Sequence, residues 1–210
     1  MVKVSDIQKV RGRILVRLDD GSEYMILKSM LRDRPLEVNQ PLDPAEFSHW
    51  VVSRQYQSAL EKSIALLAVR ARSGGEIRQS LRRIGYAPET VSHVMEKLEQ
   101  EHLLDDQDFA DAWTRSRASR RYGPRRIAME LRQKGISEED AAAALEAIPE
   151  ENLRENALSL ARKALLRAKP GEDPRRTRQR IIESLIRRGY SFEDARAACD
   201  EVLGDQSLFL

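Results

Sequence analysis

The chain is predicted to be mostly α, with three tandem three-helix repeats forming an elongated, curved array behind a small N-terminal β-hairpin domain. Three observations predict this. A helix-ending glycine turn recurs as Leu81-Arg-Arg-Ile-Gly85-Tyr86-Ala87-Pro88, Leu131-Arg-Gln-Lys-Gly135-Ile136-Ser137 and Leu185-Ile-Arg-Arg-Gly189-Tyr190-Ser191. The three glycines stand 50 and 54 residues apart, a period that suits a multi-helix repeat unit. Each turn is followed by an i, i+3, i+4, i+7 apolar stripe: Val91, Val94, Met95, Leu98; then Ala141, Ala144, Leu145, Ile148; then Ala195, Ala198, Cys199, Val202. That spacing marks one face of a helix.

The elements follow in order. Ile14 to Leu18 and Ser22 to Leu27 read as two strands joined by Asp19-Asp20-Gly21, a hairpin signal. An isolated hairpin is marginal in water, so it must pack on a third short strand near Ser5 to Val10 or on the next helix. Leu31 to Pro41 reads as a connector. Asp43 before Pro44 opens a helix that runs towards Ala59. These elements form an N-terminal domain over residues 1–57. Repeat one (58–106) has helices over Ile64 to Arg70, from the capping box Ser73-Gly-Gly-Glu76, and over Val91 to Glu101. Repeat two (107–154) has a first helix over Phe109 to Arg117. Its second carries Ile127 and Leu131, and its third opens at Ser137 with Asp140 three residues on. Repeat three (155–210) starts with Ala157 to Leu166, passes an exposed loop at Lys169-Pro170-Gly171-Glu172-Asp173-Pro174, and carries Ile181 and Leu185 before its glycine turn. A short tail follows Gly204.

Composition removes several function classes. The 210 residues are one-third charged and only 5% aromatic, which argues for thin stacked layers over one large core. A single cysteine, Cys199, excludes an internal disulfide and places the chain by default in the reducing cytoplasm. Its place on the third stripe makes it a core residue. No segment has the length and apolarity of a membrane span. The acids Asp105, Asp106, Asp108 and Asp111 lack the glycine and terminal glutamate of a calcium loop, and carboxylates at a helix start need no metal to be favoured. His49, His93 and His102 have no metal-ligand spacing, and neither a phosphate-binding glycine loop nor a nucleophile elbow is present. No cofactor and no enzymatic activity are expected.

Charge is the informative signal. The net charge is +2, so any basic surface is local. Arg115, Arg117, Arg120, Arg121, Arg125, Arg126, Arg132 and Lys134 fall within twenty residues that hold one acid, Glu130. A solvated helix face normally mixes signs; here one sign dominates on both sides of the Tyr122-Gly123-Pro124 break. Repeat three repeats the bias with Arg162, Lys163, Arg167, Lys169, Arg175, Arg176, Arg178, Arg180, Arg187 and Arg188 against Glu172, Asp173 and Glu183. Of these, Arg175, Arg176, Arg178, Arg187 and Arg188 are candidate contacts, while acids such as Glu138, Glu139, Glu193 and Asp194 sit at the third helices. An anionic partner is indicated, and nucleic acid is the commonest at this guanidinium density. For any single arginine, pairing with a neighbouring acid is an equal alternative. Tyr86 and Tyr190 take the repeat position of Ile136, which favours packing beside the turn over base stacking.

Three spaced motifs now resemble the bacterial RecX family: Arg70-x-Arg72-Ser73-x-x-Glu76-x-x-x-x-Leu81, Leu104-Asp105-Asp106-x-x-Phe109-Ala110, and Gly123-x-x-x-Ile127-x-x-Glu130-Leu131-x-x-Lys134-Gly135-Ile136. The likeness covers Ser58 to Leu203, with the hairpin resembling the extension of longer members. It implies a non-enzymatic modulator of the RecA recombinase, a monomer that binds the RecA filament on single-stranded DNA, suppresses ATPase and strand exchange, and contacts single-stranded and also double-stranded DNA directly. Arg70 and Arg72 join the basic residues above as candidate DNA or filament contacts on this basis. Two other classes stay open: a DNA-binding helical-repeat module with no recombinase partner, and a protein-only scaffold. Filament capping and groove insertion are equally compatible with the sequence.

Overall fold

The computed structural model describes residues 1–10, 12–168 and 172–207, with side chains given for all of these except 205–207. Of the loop expected from Lys169 to Pro174, residues 169–171 lie outside them, Glu172 is half-buried, and Asp173 caps a helix that Pro174 opens. Of the tail expected after Gly204, residues 205–207 continue the last helix and 208–210 lie outside. The chain divides into two compact units, residues 1–105 and 106–210.

The first unit begins with four antiparallel strands in the order β3-β2-β1-β4: β1 (Val2–Val10), β2 (Arg13–Leu18), β3 (Glu23–Ile26) and β4 (Pro41–Leu42). The predicted hairpin is β2 and β3, turned at Gly21 with φ of 87°. It is half of a larger sheet. The expected third strand extends back to Val2, and the expected connector contains a one-turn helix, α1 (Met30–Asp33), and the edge strand β4. Two paired residues are too few to show a period-2 pattern, and Pro41 is tolerated because an edge strand can spare its N–H. Alternation along β2 buries Ile14, Val16 and Leu18, which join Val4, Ile26, Leu42, Phe47 and Val51 in one cluster.

One helix, α2 (Pro44–Val69), then runs for 26 residues. Asp43 caps it by accepting from the N–H groups of Ala45 and Glu46. Here the structure corrects the predicted break near Ser58: the N-terminal helix and the first helix of repeat one are continuous. Phe47, Val51, Gln55, Ala59 and Ser63 are buried at steps of four, and no glycine or proline interrupts them. The stripe begins in the sheet cluster and ends in the repeat-one cluster with Ile77, Leu81, Val91, Val94, Met95 and Leu98. Gln55 joins the two. Wholly buried, it donates to the carbonyl of Met25 in β3 at 2.7 Å and accepts from the N–H of Ala87 at 2.8 Å. A buried amide survives only when its polar atoms are satisfied, and these partners fasten sheet to repeat. Two more helices, α3 (Gly74–Ile84) and α4 (Pro88–Gln100), complete the unit.

The second unit holds α5 (Asp106–Ser119), α6 (Pro124–Gln133), α7 (Glu138–Glu146), α8 (Glu150–Leu165), α9 (Pro174–Arg188) and α10 (Phe192–Ser207). The predicted signals appear as geometry. Gly85, Gly135 and Gly189 have positive φ. Ser73, Ser137 and Ser191 each accept the N–H three residues on. Ile77, Leu81, Ile127, Leu131, Ile181 and Leu185 are all fully buried. Tyr86, Ile136 and Tyr190 are buried beside their turns, and Cys199 lies in the last cluster. No helix among the described residues is long and apolar enough to cross a membrane.

Within this unit, the second and third repeats meet backbone to backbone. The N–H of Gly123, at the start of α6, donates to the carbonyl of Arg188 at 2.9 Å, and that of Arg125 to Gly189 at 3.0 Å. Both groups would otherwise be unsatisfied, the N–H ends of α6 and the carbonyl end of α9. A Cβ on Gly123 would stand 2.5 Å from the Gly189 backbone, and one on Gly189 would stand 2.6 Å from the Arg126 nitrogen. Gly123→Ala should therefore lower the unfolding free energy by at least about 2 kcal/mol, because backbone cannot move aside as a flexible side chain does. Gly204→Ala, with open space at its Cβ, should be neutral or stabilising. Urea unfolding of both variants checks the contrast; equal stabilities would refute the glycine contact.

Candidate functional site

The glycine contact brings α5, α6, α8 and α9 around a cleft of about 580 Å³. Repeat two contributes Arg120, Arg121, Tyr122 and Arg126; α8 contributes Leu160, Lys163 and Ala164, and the turn after it Arg167; α9 contributes Arg180, Ser184, Arg187 and Arg188. Eight of the twelve are basic and none is acidic. Such a concentration of one sign repels itself and focuses field on an anion.

Local chemistry holds the repelling groups in place. The guanidinium carbons of Arg126 and Arg188 lie 4.3 and 5.1 Å from the Tyr122 ring centroid, within cation–π range. Arg188 also donates to the carbonyl of Arg120 at 3.2 Å. Arg121 closes α5 in the left-handed region, φ of 61°, as His102 does after α4, whereas the three repeat turns use glycine. That conformation costs an L-residue about 1–2 kcal/mol. In return the Arg121 side chain reaches the cleft while its carbonyl faces the Tyr190 hydroxyl at 3.5 Å. Burial pushes the Tyr190 hydroxyl up to about 12, against the opposing charges of Arg188 and Arg121, so it stays a neutral donor at physiological pH.

Beside the cleft, Glu130 gathers part of the predicted basic strip. It accepts from Arg117 at 2.5 Å, from Arg126 at 3.3 Å and from the Trp113 indole at 3.2 Å. Burial alone would raise its carboxyl; the hydrogen bonds from Arg117 and Arg126, with the Arg117 charge and the indole, outweigh burial and hold it below its ordinary value. Arg117 and Lys134 each stand 4.0 Å from the Trp113 centroid, and Trp113 stacks on Phe109 at 6.0 Å. These two cations are packed against the aromatic pair, away from the cleft lining.

The remaining predicted residues are dispersed. Arg115 lines a separate pocket of about 380 Å³ with Thr114, Asn152 and Asn156. Arg125 is exposed at the start of α6. Arg132 pairs with Glu138 at 3.3 Å in an exposed contact, Arg178 pairs with Asp200, and Arg187 approaches Glu183 at 3.8 Å. Arg175 and Arg176 are exposed in the first turn of α9. Arg70 and Arg72 belong to the first unit and are engaged at the end of α2: Arg70 forks onto Glu76 at 2.9 and 3.2 Å, and Arg72 donates to the Leu66 carbonyl at 3.1 Å. Three cleft residues, Lys163, Arg167 and Arg180, belong to the basic bias of repeat three but not to the candidate contacts read from the sequence. Their signal was helical spacing, 163 with 167 across the end of α8 and 180 with 184 and 188 on α9, which puts each set on one face. Among the described residues no cluster of three or more His, Cys, Asp or Glu could hold a metal.

The fold and cleft define a class: a three-helix-repeat protein, with an N-terminal sheet, that carries an acid-free cationic cleft between two repeats. Family models narrow it. The first, second and third three-helix domains of RecX match residues 59–98, 105–145 and 150–199. The regulatory protein RecX of Mycolicibacterium smegmatis is 33% identical over 168 residues, covering 77% of this chain and 89% of that protein. That of Listeria welshimeri is 28% identical over 206 residues, covering 98% and 76%. A crystal structure of a regulatory protein RecX superposes with a TM-score of 0.65 at 27% identity over 97% of this chain and 100% of that one. RecX from Lactobacillus salivarius gives 0.62 at 25% identity over 72% and 96%. The chain belongs to the RecX family of regulatory proteins.

A depressed carboxyl contributes stability above its unfolded-state pKa and loses it as pH falls through the folded-state value. Glu130→Gln should therefore destabilise the protein at neutral pH by about 1–3 kcal/mol. The gap from wild type should narrow as pH drops below about 4. Thermal unfolding at stepped pH reads this; a gap independent of pH would show that the Glu130 charge contributes nothing.

Proposed function

We propose that this chain is a non-enzymatic regulator of the RecA recombinase, acting as a cytoplasmic monomer. It binds the RecA filament on single-stranded DNA, suppresses its ATPase and strand exchange, and contacts the nucleic-acid backbone through the cationic cleft. The observation that carries the reading is the cleft itself: eight cations from two repeats converge with no acid in the lining. Guanidinium groups match phosphate oxygens in number and geometry, and neutralising phosphates relieves the repulsion that the cleft builds in. Membership in a family of regulatory proteins supports a role exercised through occupancy. Duplex DNA, with the same backbone chemistry, is a second ligand of the cleft.

The test is ATP hydrolysis by a RecA filament preassembled on single-stranded DNA, with this protein titrated up to equimolar RecA. Suppression is expected well below equimolar. The triple variant Arg120→Gln, Arg121→Gln, Arg187→Gln leaves the Tyr122 and Glu130 contacts intact. It should weaken suppression and make the log–log salt dependence of single-strand binding shallower by about 2, since each phosphate contact contributes about 0.7. Salt-sensitive DNA binding without suppression would instead favour a plain DNA-binding module.

A further inference from the structure

We infer that Arg180 is a phosphate-binding residue of the cleft, and that the Glu172 carboxylate holds the anion position that a nucleic-acid phosphate takes. The inference rests on reading the cleft as the nucleic-acid contact, and it adds an occupant and a competition to that reading.

The argument starts from an incomplete pairing. Arg180 lines the cleft from α9 and meets Glu172, just before that helix, through one nitrogen only: Nη1 donates to the two carboxylate oxygens at 2.9 and 2.8 Å. Its Nε and Nη2 are shielded from solvent and have no hydrogen-bond partner among the described residues. Buried donors are almost always satisfied, and a charged one left unmade is costly. A guanidinium prefers to bind two oxygens through two nitrogens, as a fork. Glu172 thus occupies the charge of Arg180 without using its geometry.

The cleft lining is free of acids, and three carboxylates reach lining arginines from outside it: Glu130 at Arg126, Glu183 at Arg187 and Glu172 at Arg180. Of the three, Glu172 is the one whose arginine keeps two buried donors without a partner among the described residues. An internal carboxylate beside a surplus of cations behaves as a resident counter-ion. A phosphodiester offers two oxygens in the fork geometry. Nε and Nη2 are closed to solvent in the folded chain, so a phosphate gains that edge only as the Arg180 side chain shifts away from its present pairing. A strand, with several phosphates, can neutralise the neighbouring Arg120, Arg121, Lys163 and Arg167 at the same time, which a single free phosphate cannot.

The test is anisotropy of a labelled oligothymidylate titrated with the full chain. Glu172→Gln should tighten binding by about five- to tenfold, in the range of a typical coupling between competing ligands. Glu172→Ala should give the same sign, and Glu193→Gln, removing an exposed acid on α10, should change binding less than about twofold, as an exposed surface charge does. On an Arg180→Gln background the gain from Glu172→Gln should vanish. If Glu172→Gln binds no tighter than Glu193→Gln while the Arg120, Arg121, Arg187 triple variant still weakens binding, the inference is overturned and the cleft reading stands. If the triple variant leaves binding unchanged, the cleft reading falls with it. Inorganic phosphate that displaces the strand from the Glu172→Gln variant at unchanged ionic strength would mark a free-anion site and overturn the assignment to a strand.

Discussion

Where Gly123 meets Gly189, two helix ends come close enough to share hydrogen bonds: the start of α6 donates and the end of α9 accepts. The arrangement joins the partly positive end of one helix to the partly negative end of the other, which is favourable in its own right. It also fixes a distance. With any larger residue at position 123 the two backbones could not approach, and the arginines of the α5–α6 turn would not stand opposite those of α9. The cationic cleft is therefore a product of a contact that contains no charged side chain.

That contact opposes a real repulsion. Side chains that would separate in a looser structure are held together by Tyr122, by the carbonyl of Arg120 and by the Glu130 network. Each does a different job. Tyr122 offers a polarised face to two guanidiniums. Glu130 neutralises Arg117 and half-engages Arg126 while its partners keep it ionised. Arg121 accepts a strained backbone so that a long cation occupies a turn position that glycine fills in the three repeat turns. The strain at Arg121 is offset by the contacts around it.

The first unit is fastened across its sheet and its first repeat. The four-residue stripe of α2 carries the sheet and repeat one on the same helix, and Gln55 satisfies backbone groups from both. Arg70 and Arg72 sit where that helix ends and bind groups of their own neighbourhood. Their motif reads as a capping and pairing device as readily as a contact surface.

The sequence by itself determined the repeat, its three helices and its core. Glycine at a left-handed turn, serine at a helix start and apolar residues at steps of three and four are local causes, and each acts through residues close in the chain. It located the local excess of positive charge as well, because twenty residues with eight cations and one acid cannot be electrically neutral. The sequence reading split α2 into two helices, although no glycine or proline lies between Pro44 and Gly74. What only the tertiary structure decided was which cations face one another. Lys163, Arg167 and Arg180 stand apart from the α5–α6 turn in the chain, and Arg117 and Lys134 lie inside the basic run, yet the first three line the cleft and the last two pack on Trp113. A charge count along the chain cannot separate them, because the distinction arises from long-range contacts: a glycine pair, an indole and one glutamate.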